Sequence, residues 1–132
     1  MAVSPSRNNF ELHEQAGHHV LIAGGIGITP FLSILRQADH DRLSHKLHLF
    51  YSNRRPEDAA FLEALQGLEK TNPNFRLIGT MTEMLLSKKD WKGETSFINE
   101  EMLSRHLHGL QGPIYYVAGP PAMVTSMRKM LA

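Results

Sequence analysis

From residue 19 onward the chain alternates short apolar runs with segments whose apolar residues recur every three or four positions. Brief β-branched and aromatic runs bounded by turn residues predict buried strands, and a three-to-four-residue stripe predicts a helix with one inward face. On this reading His19 to Ala23 is the first strand, and Thr29 to about Ala38 is a helix that buries Phe31, Leu32, Ile34 and Leu35. Lys46 to Ser52 is the second strand. Pro56 opens a second helix, with Glu57 and Asp58 suited to its positive end and Phe61, Leu62, Leu65 and Leu68 at core-facing spacing. Asn72-Pro73-Asn74 breaks that helix, and Phe75 to Thr82 forms the third strand. A polar loop with Lys88, Lys89, Trp91 and Gly93 follows, too long for a simple connection. Asn99 then caps a third helix, with Glu100 and Glu101 in its first turn and Met102, Leu103 and Leu107 inward. Gly112-Pro113 introduces the last strand, Ile114 to Ala118, and the final helix carries Met123, Met127 and Leu131 on one face, a stripe that reads as core packing. Strands alternating with helices in this way predict a three-layer α/β/α fold around a mainly parallel sheet of four to five strands.

Composition narrows the partners. The 132 residues suit one domain, and 14 basic against 13 acidic side chains leave a net charge of +1 without a basic stripe, so nucleic acid is not an expected partner. The absence of cysteine removes disulfides, thiolate metal sites and a cysteine nucleophile. No apolar run approaches the ~20 residues that span a bilayer, and Met1 to Phe10 lacks the apolar core of a signal peptide, so the expected location is cytoplasmic. The eight histidines do not suggest a metal: His13 to His18 is one residue too long for the helical H-E-x-x-H arrangement, and His40, His45, His48, His106 and His108 fall in connections or near element ends. Ser33, Ser52 and Ser104 lack a G-x-S-x-G setting, and Trp91 reads either as a shield over a bound ring or as a cover for the core.

The chemistry gathers at the ends of the predicted strands. Leu21 to Pro30 is an apolar strand running into Gly24, Gly25 and Gly27 and then a Thr29-Pro30 pair. Glycine permits positive φ and lets a ligand approach without meeting a Cβ, so backbone N–H groups can face an anion. Thr29 as N-cap and Pro30 as first helical residue would aim the positive end of a helix into the same space, which suits a pyrophosphate. The usual third glycine of a dinucleotide fingerprint is replaced by Pro30, and glycines at such a turn can also serve packing alone. After the second strand, Ser52-Asn53-Arg54-Arg55 stands where an NAD site normally presents Asp or Glu. Two arginines can neutralise a 2′-phosphate, which tilts the expectation modestly toward NADPH, although they also read as a solvated turn. Gly119-Pro120-Pro121 ends the last strand. Ligand crevices of open α/β sheets lie beyond the carboxyl ends of the strands, so the three segments are expected to converge.

Leu21 to Pro30, Phe50 to Asp58 and Tyr116 to Met123, in this order and spacing, resemble the nicotinamide half of the ferredoxin–NADP reductase superfamily, and the resemblance covers nearly the whole chain from His19. It implies a Rossmann-like nucleotide domain of that superfamily's C-terminal type, binding NADP or NAD and passing hydride between nicotinamide and a flavin. FAD or FMN would sit on a flavin-binding barrel domain, in cis or in trans, with an iron–sulfur or haem centre as a possible acceptor. On the matching positions, Gly24, Gly25, Gly27, Ile28, Thr29 and Pro30 would line the pyrophosphate and nicotinamide side. Ser52, Asn53, Arg54 and Arg55 would hold the adenosine end, Thr82 the dinucleotide bridge, and Ala118, Gly119, Pro120, Pro121 and Met123 the nicotinamide ring. No catalytic residue is named, because hydride transfer needs no protein acid or base.

Ala118 departs from the family, whose motif often begins here with cysteine: a methyl group keeps the space and loses the polarisable contact. The flavin barrel's Arg-x-Tyr-Ser type segment is also missing, while Phe10-Glu11-Leu12 looks like the last edge of a barrel. Residues 1–17 are therefore expected to be the tail of a flavin domain and 18–132 the NAD(P)-binding domain, within a fragment or a stand-alone module. The alternative expectation is a nucleotide-binding interaction or regulatory module without turnover. A methyltransferase would want an acid at the end of the second strand, and Ser52-Asn53 argues against it.

Overall fold

The computed structural model describes residues 3–4, 18–40, 46–107 and 114–131. Among the described residues there are five strands: β1 (Val3–Ser4), β2 (His18–Gly24), β3 (Lys46–Asn53), β4 (Phe75–Met81) and β5 (Ile114–Ala118). Four α-helices accompany them: α1 (Ile28–His40), α2 (Leu62–Thr71), α3 (Glu100–His106) and α4 (Pro121–Leu131). All strand pairs are parallel, in the order β1-β5-β2-β3-β4. A parallel sheet needs cover on both faces, and alternate residues supply it. Leu21 and Ala23, Leu49 and Tyr51, Phe75, Tyr116 and Ala118 pack under Phe31 and Leu35 of α1 and Leu65 of α2. Val20 and Ile22, Phe50, Ile78 and Val117 point the other way, under Met102 and Leu103 of α3 and Met127 and Leu131 of α4. The methionine stripe of α4 thus includes ordinary core contacts.

The order of strands sets the position of the site. From β2 the chain steps outward to β3 and β4, then crosses back so that β5 lies on the opposite side of β2. Strand order therefore reverses between β2 and β5, where neighbouring turns diverge and leave a crevice at the carboxyl edge.

Four elements differ from the sequence expectation. Val3–Ser4 pairs with Tyr115 and Tyr116 and adds a short edge strand. Gly25–Gly27 forms a 3-10 turn and α1 begins at Ile28, so Thr29 is already inside the helix instead of capping it. The helix expected from Pro56 is split into a 3-10 turn, Pro56–Asp58, and α2 from Leu62. Ala59 is extended (φ −85°, ψ 94°) and Phe61 follows at φ 62° with an exposed ring, so the helical backbone breaks between the two pieces, and the Tyr51 hydroxyl donates to Ala60 O at 3.0 Å within the break. β4 ends at Met81, and Thr82 turns away to donate its N–H to Asn53 O at 3.0 Å. Elsewhere local signals hold: Asn99 Oδ1 accepts from Met102 N at 2.8 Å, and Asn72 Oδ1 accepts from Asn74 N at 2.9 Å to close the break after α2. Phe10-Glu11-Leu12, Gly112-Pro113, His45 and His108 lie outside the described residues.

Candidate functional site

The ladder brings the strand ends together. Gly24 stands beside Ser52, Ser52 beside Thr80, and Ala23 beside Ala118, so the turns leaving β2, β3, β4 and β5 share one edge. Between them lies a cleft of about 830 Å³, continuous through Ser52, Arg54, Phe97, Pro120 and Met123 with a second lobe of about 680 Å³. Volumes of this size suit a nucleotide-sized ligand.

The three glycines of the first turn have different jobs. Gly25 has φ 54°, and a Cβ built there meets nothing within 4 Å, so its bare backbone faces the open cleft. Gly27 is a close-approach residue: a Cβ would overlap the Ala118 carbonyl oxygen and lie 2.8 Å from Gly119 N. A Cβ on Gly24 would overlap Met123 Sδ, and one on Gly119 would come within 2.9 Å of the same sulfur. The β2 and β5 turns therefore nest against each other with the Met123 thioether laid over both, and only glycine leaves room for that. Pro30 sits in the first turn of α1, where its missing N–H costs nothing.

At the end of β3, Asn53 is largely buried on the cleft wall, and its Nδ2 has no hydrogen-bond partner. A buried amide donor left open costs free energy unless something accepts from it. The adjacent arginines are engaged. Arg55 grips Asp58 through Nε and Nη2 at 3.0 and 3.1 Å, which raises the guanidinium's pKa and lowers that of the carboxylate. Arg54, highly exposed, lies 3.7 Å from Glu83, whose N–H donates to Arg54 O at 2.8 Å. Two cations thus face two carboxylates. The loop after β4 is clamped from below: the Ser87 hydroxyl donates to Glu57 Oε1 at 2.6 Å and Lys88 N to Oε2 at 3.2 Å. The Ser87 bond leads in holding the Glu57 carboxyl down at about 2.

Of the sequence-expected residues, Gly24, Gly25, Ser52, Asn53, Arg54, Arg55, Thr82, Pro120 and Met123 line the cleft. Ile28 and Ala118 do not present side chains to it: both belong to the core between α1 and the sheet, Ile28 from the first turn of α1 and wholly enclosed, Ala118 from β5 and nearly so. Gly27 and Gly119 contribute backbone at the seam, and Thr29 and Pro121 are exposed at the starts of their helices. Trp91 lies elsewhere. Its ring covers Gly79 and Gly93 on the β4 edge and Nε1 donates to Glu94 O at 2.8 Å, so it covers the core margin and not the cleft.

Sequence reasoning missed Phe97, Leu86, Asp58 and Glu83 as parts of the cleft. Phe97 is 75% exposed at its lip. Its position two residues before the Asn99 cap gives no sign of this: Ile98, at the staple position directly before the cap, is buried, and Phe97 beside it is turned outward. Asp58 and Glu83 could have been found by asking which acids lie near the arginine pair in sequence or in the facing turn.

The oxidoreductase NAD-binding domain family matches residues 21–129. Nitrate reductase [NADH] of Volvox carteri is 33% identical over 120 residues, covering 88% of this chain and 14% of that protein. NADH-cytochrome b5 reductase 1 of Neosartorya fischeri is 30% identical over 119 residues, covering 85% of this chain and 38% of that protein. Among solved structures, the cytochrome b5 reductase domain of Ulva prolifera nitrate reductase superposes with a TM-score of 0.75 at 25% identity, over 89% of this chain and 45% of that one. The chain thus spans less than half the length of each of these proteins.

Proposed function

Because this chain belongs to the oxidoreductase NAD-binding domain family, we propose that its strand-end cleft binds NADH and presents the nicotinamide to a flavin held by a barrel domain. The observation that carries this reading is Gly25, a positive-φ backbone facing open space where four strand-end turns meet. The residues present fit the dinucleotide: Gly25 leaves the volume a Cβ would fill, and the unpartnered Asn53 Nδ2 offers a donor from the wall. Gly24 to Gly27 and the start of α1 receive the pyrophosphate. Pro120 and Met123 border the nicotinamide end, and Ser52, Asn53, Arg54, Arg55 and Thr82 the adenosine end, where Phe97 and Leu86 offer apolar surface to the base.

When bound, NADH supplies a hydride for the flavin. This chain's residues align the ring, enclose it and keep water from it, and none has to hold or move a proton. A flavin-binding domain completes the reaction, and a haem protein is the proposed class of acceptor, in keeping with the cytochrome b5 reductases among the relatives. Residues 18–132 carry the nucleotide site, with Val3–Ser4 added at the sheet edge.

NADH is favoured over NADPH by local charge. Arg55 is held by Asp58 and Arg54 faces Glu83, so a 2′-phosphate would meet a neutral patch that includes two carboxylates. This reverses the tilt that the arginine pair suggests in the sequence alone. The test is an NMR titration of the chain with NADH and NADPH. Saturable shifts at the amides of Gly25, Asn53 and Gly119, at lower concentration for NADH, are expected. Shifts confined to other surfaces, with either nucleotide and also when the flavin domain is joined, would remove the reading.

A further inference from the structure

A second depression, of about 710 Å³, runs along the outer edge of β4 and shares no residue with the nucleotide cleft. Its wall on the α3 side of the sheet is basic. His48 and Arg76 are ladder partners on adjacent strands and point to the same face. The His106 ring stands edge-on to Phe50, 5.9 Å between centroids, two residues along β3 from His48 and on the same face. Lys92 and Arg105 complete the rim.

The acids around this depression are already engaged. Glu94 receives Arg105 through two bonds at 2.9 and 3.0 Å and His106 Nε2 at 3.1 Å. Glu69 accepts the backbone N–H of Leu77 at 2.6 Å. Among the described residues Arg76 has no hydrogen-bond or ion-pair partner, and His48 Nδ1 is a buried nitrogen with none. His18, across β2, leaves its buried Nδ1 equally open, and its ladder partner Lys46 is turned to Asn74 Oδ1 at 2.8 Å. Burial, then electrostatic repulsion of its charged form by His18, Arg76 and His106, holds the His48 pKa below its ordinary value. A metal does not suit the site, since among the described residues no three histidine or acidic side chains are placed to share one.

We propose that this depression is an oxyanion site, which takes a doubly charged phosphate-class ion between the Arg76 guanidinium and the protonated His48 imidazole. The charge fits: one guanidinium and one imidazolium balance a dianion, while Glu94 is paired with Arg105 and holds His106 Nε2. Guanidinium donates in a planar fork that matches two phosphate oxygens, and His48 takes up a proton as the ion arrives. Inorganic phosphate is the simplest probe.

The test follows the histidine ring signals of the full chain by NMR against pH, in phosphate and in sodium chloride of equal ionic strength. Phosphate should raise the His48 midpoint by about one unit relative to chloride. Arg76→Gln, at an exposed position, should abolish the rise without changing the melting temperature or NADH binding. His48→Gln should remove phosphate binding measured by calorimetry. Equal midpoints in phosphate and chloride, a rise that persists in Arg76→Gln, or binding of acetate and citrate but not phosphate would each overturn the proposal.

Discussion

Adding one methyl group at Gly27 should destabilise the domain through a backbone collision, and the same addition at Gly25 should act chiefly on ligand binding. In Gly27→Ala the new Cβ overlaps the Ala118 carbonyl oxygen, lies 2.6 Å from its carbon and 2.8 Å from Gly119 N. These atoms follow directly on the Ala23–Ala118 ladder pair, so they cannot rotate away as a side chain would. The carbon contact falls about 0.8 Å short of the ordinary 3.4 Å, and the β2 and β5 turns must part to recover it. Overpacking of that kind costs about 1–3 kcal/mol, and for a chain of this length about 2 kcal/mol lowers the melting temperature by about 7 °C. In Gly25→Ala the Cβ meets nothing, and the cost is the left-handed backbone alone, about 1 kcal/mol or roughly 4 °C. That methyl group points into the cleft, however, and should weaken NADH binding about ten-fold or more. Gly24→Ala should fall between them, because it displaces the flexible Met123 side chain. Thermal unfolding by circular dichroism and NADH titration of the three variants separate the effects. If Gly27→Ala melts with the parent while Gly25→Ala is the less stable, nested β2 and β5 turns are not what Gly27 provides.

Other outcomes follow from the same geometry. Phe97→Ser should weaken NADH binding by about 1 kcal/mol, roughly five-fold, with an unchanged melting temperature because the ring is exposed; calorimetry measures both. Asp58→Asn releases Arg55 and should raise NADPH affinity relative to NADH severalfold, read from paired titrations. Glu57 has a depressed pKa, so the stability it adds is complete above its ordinary 4.5 and is lost as pH falls through about 2. Hydrogen exchange at the Lys88 amide should therefore stay slow down to about pH 3 and quicken below, whereas in Glu57→Gln it should be fast throughout.

Much of the fold was legible because local signals agreed with one another. The apolar run of β2, the Asn99 cap and the turn at Asn72 each depend on neighbours within a few residues, and each formed as read. The helix expected from Pro56 broke in its backbone, with Ala59 extended and Phe61 at φ 62°, while Ser87 from the loop after β4 takes the Glu57 carboxylate that suits a helix start. The short strand Val3–Ser4 was illegible because two residues carry no periodicity and acquire their identity from β5. At the site, Ile28 and Ala118 occupy motif positions, but strand alternation sends Ala118 to the core and the inward face of α1 does the same to Ile28.

The amino-acid sequence by itself determined the alternation of strands and helices and the glycine-rich turn, since these depend on periodicity and on backbone freedom at particular residues, and its three strand-end motifs carried the resemblance to the family. Only the tertiary structure decided which charges are available. Arg54 and Arg55 read as two free cations in one dimension; the turn after β3 closes Asp58, three residues on, against Arg55, and folding brings Glu83 from beyond the end of β4 to Arg54, because electrostatic energy depends on distance in space and not on separation along the chain.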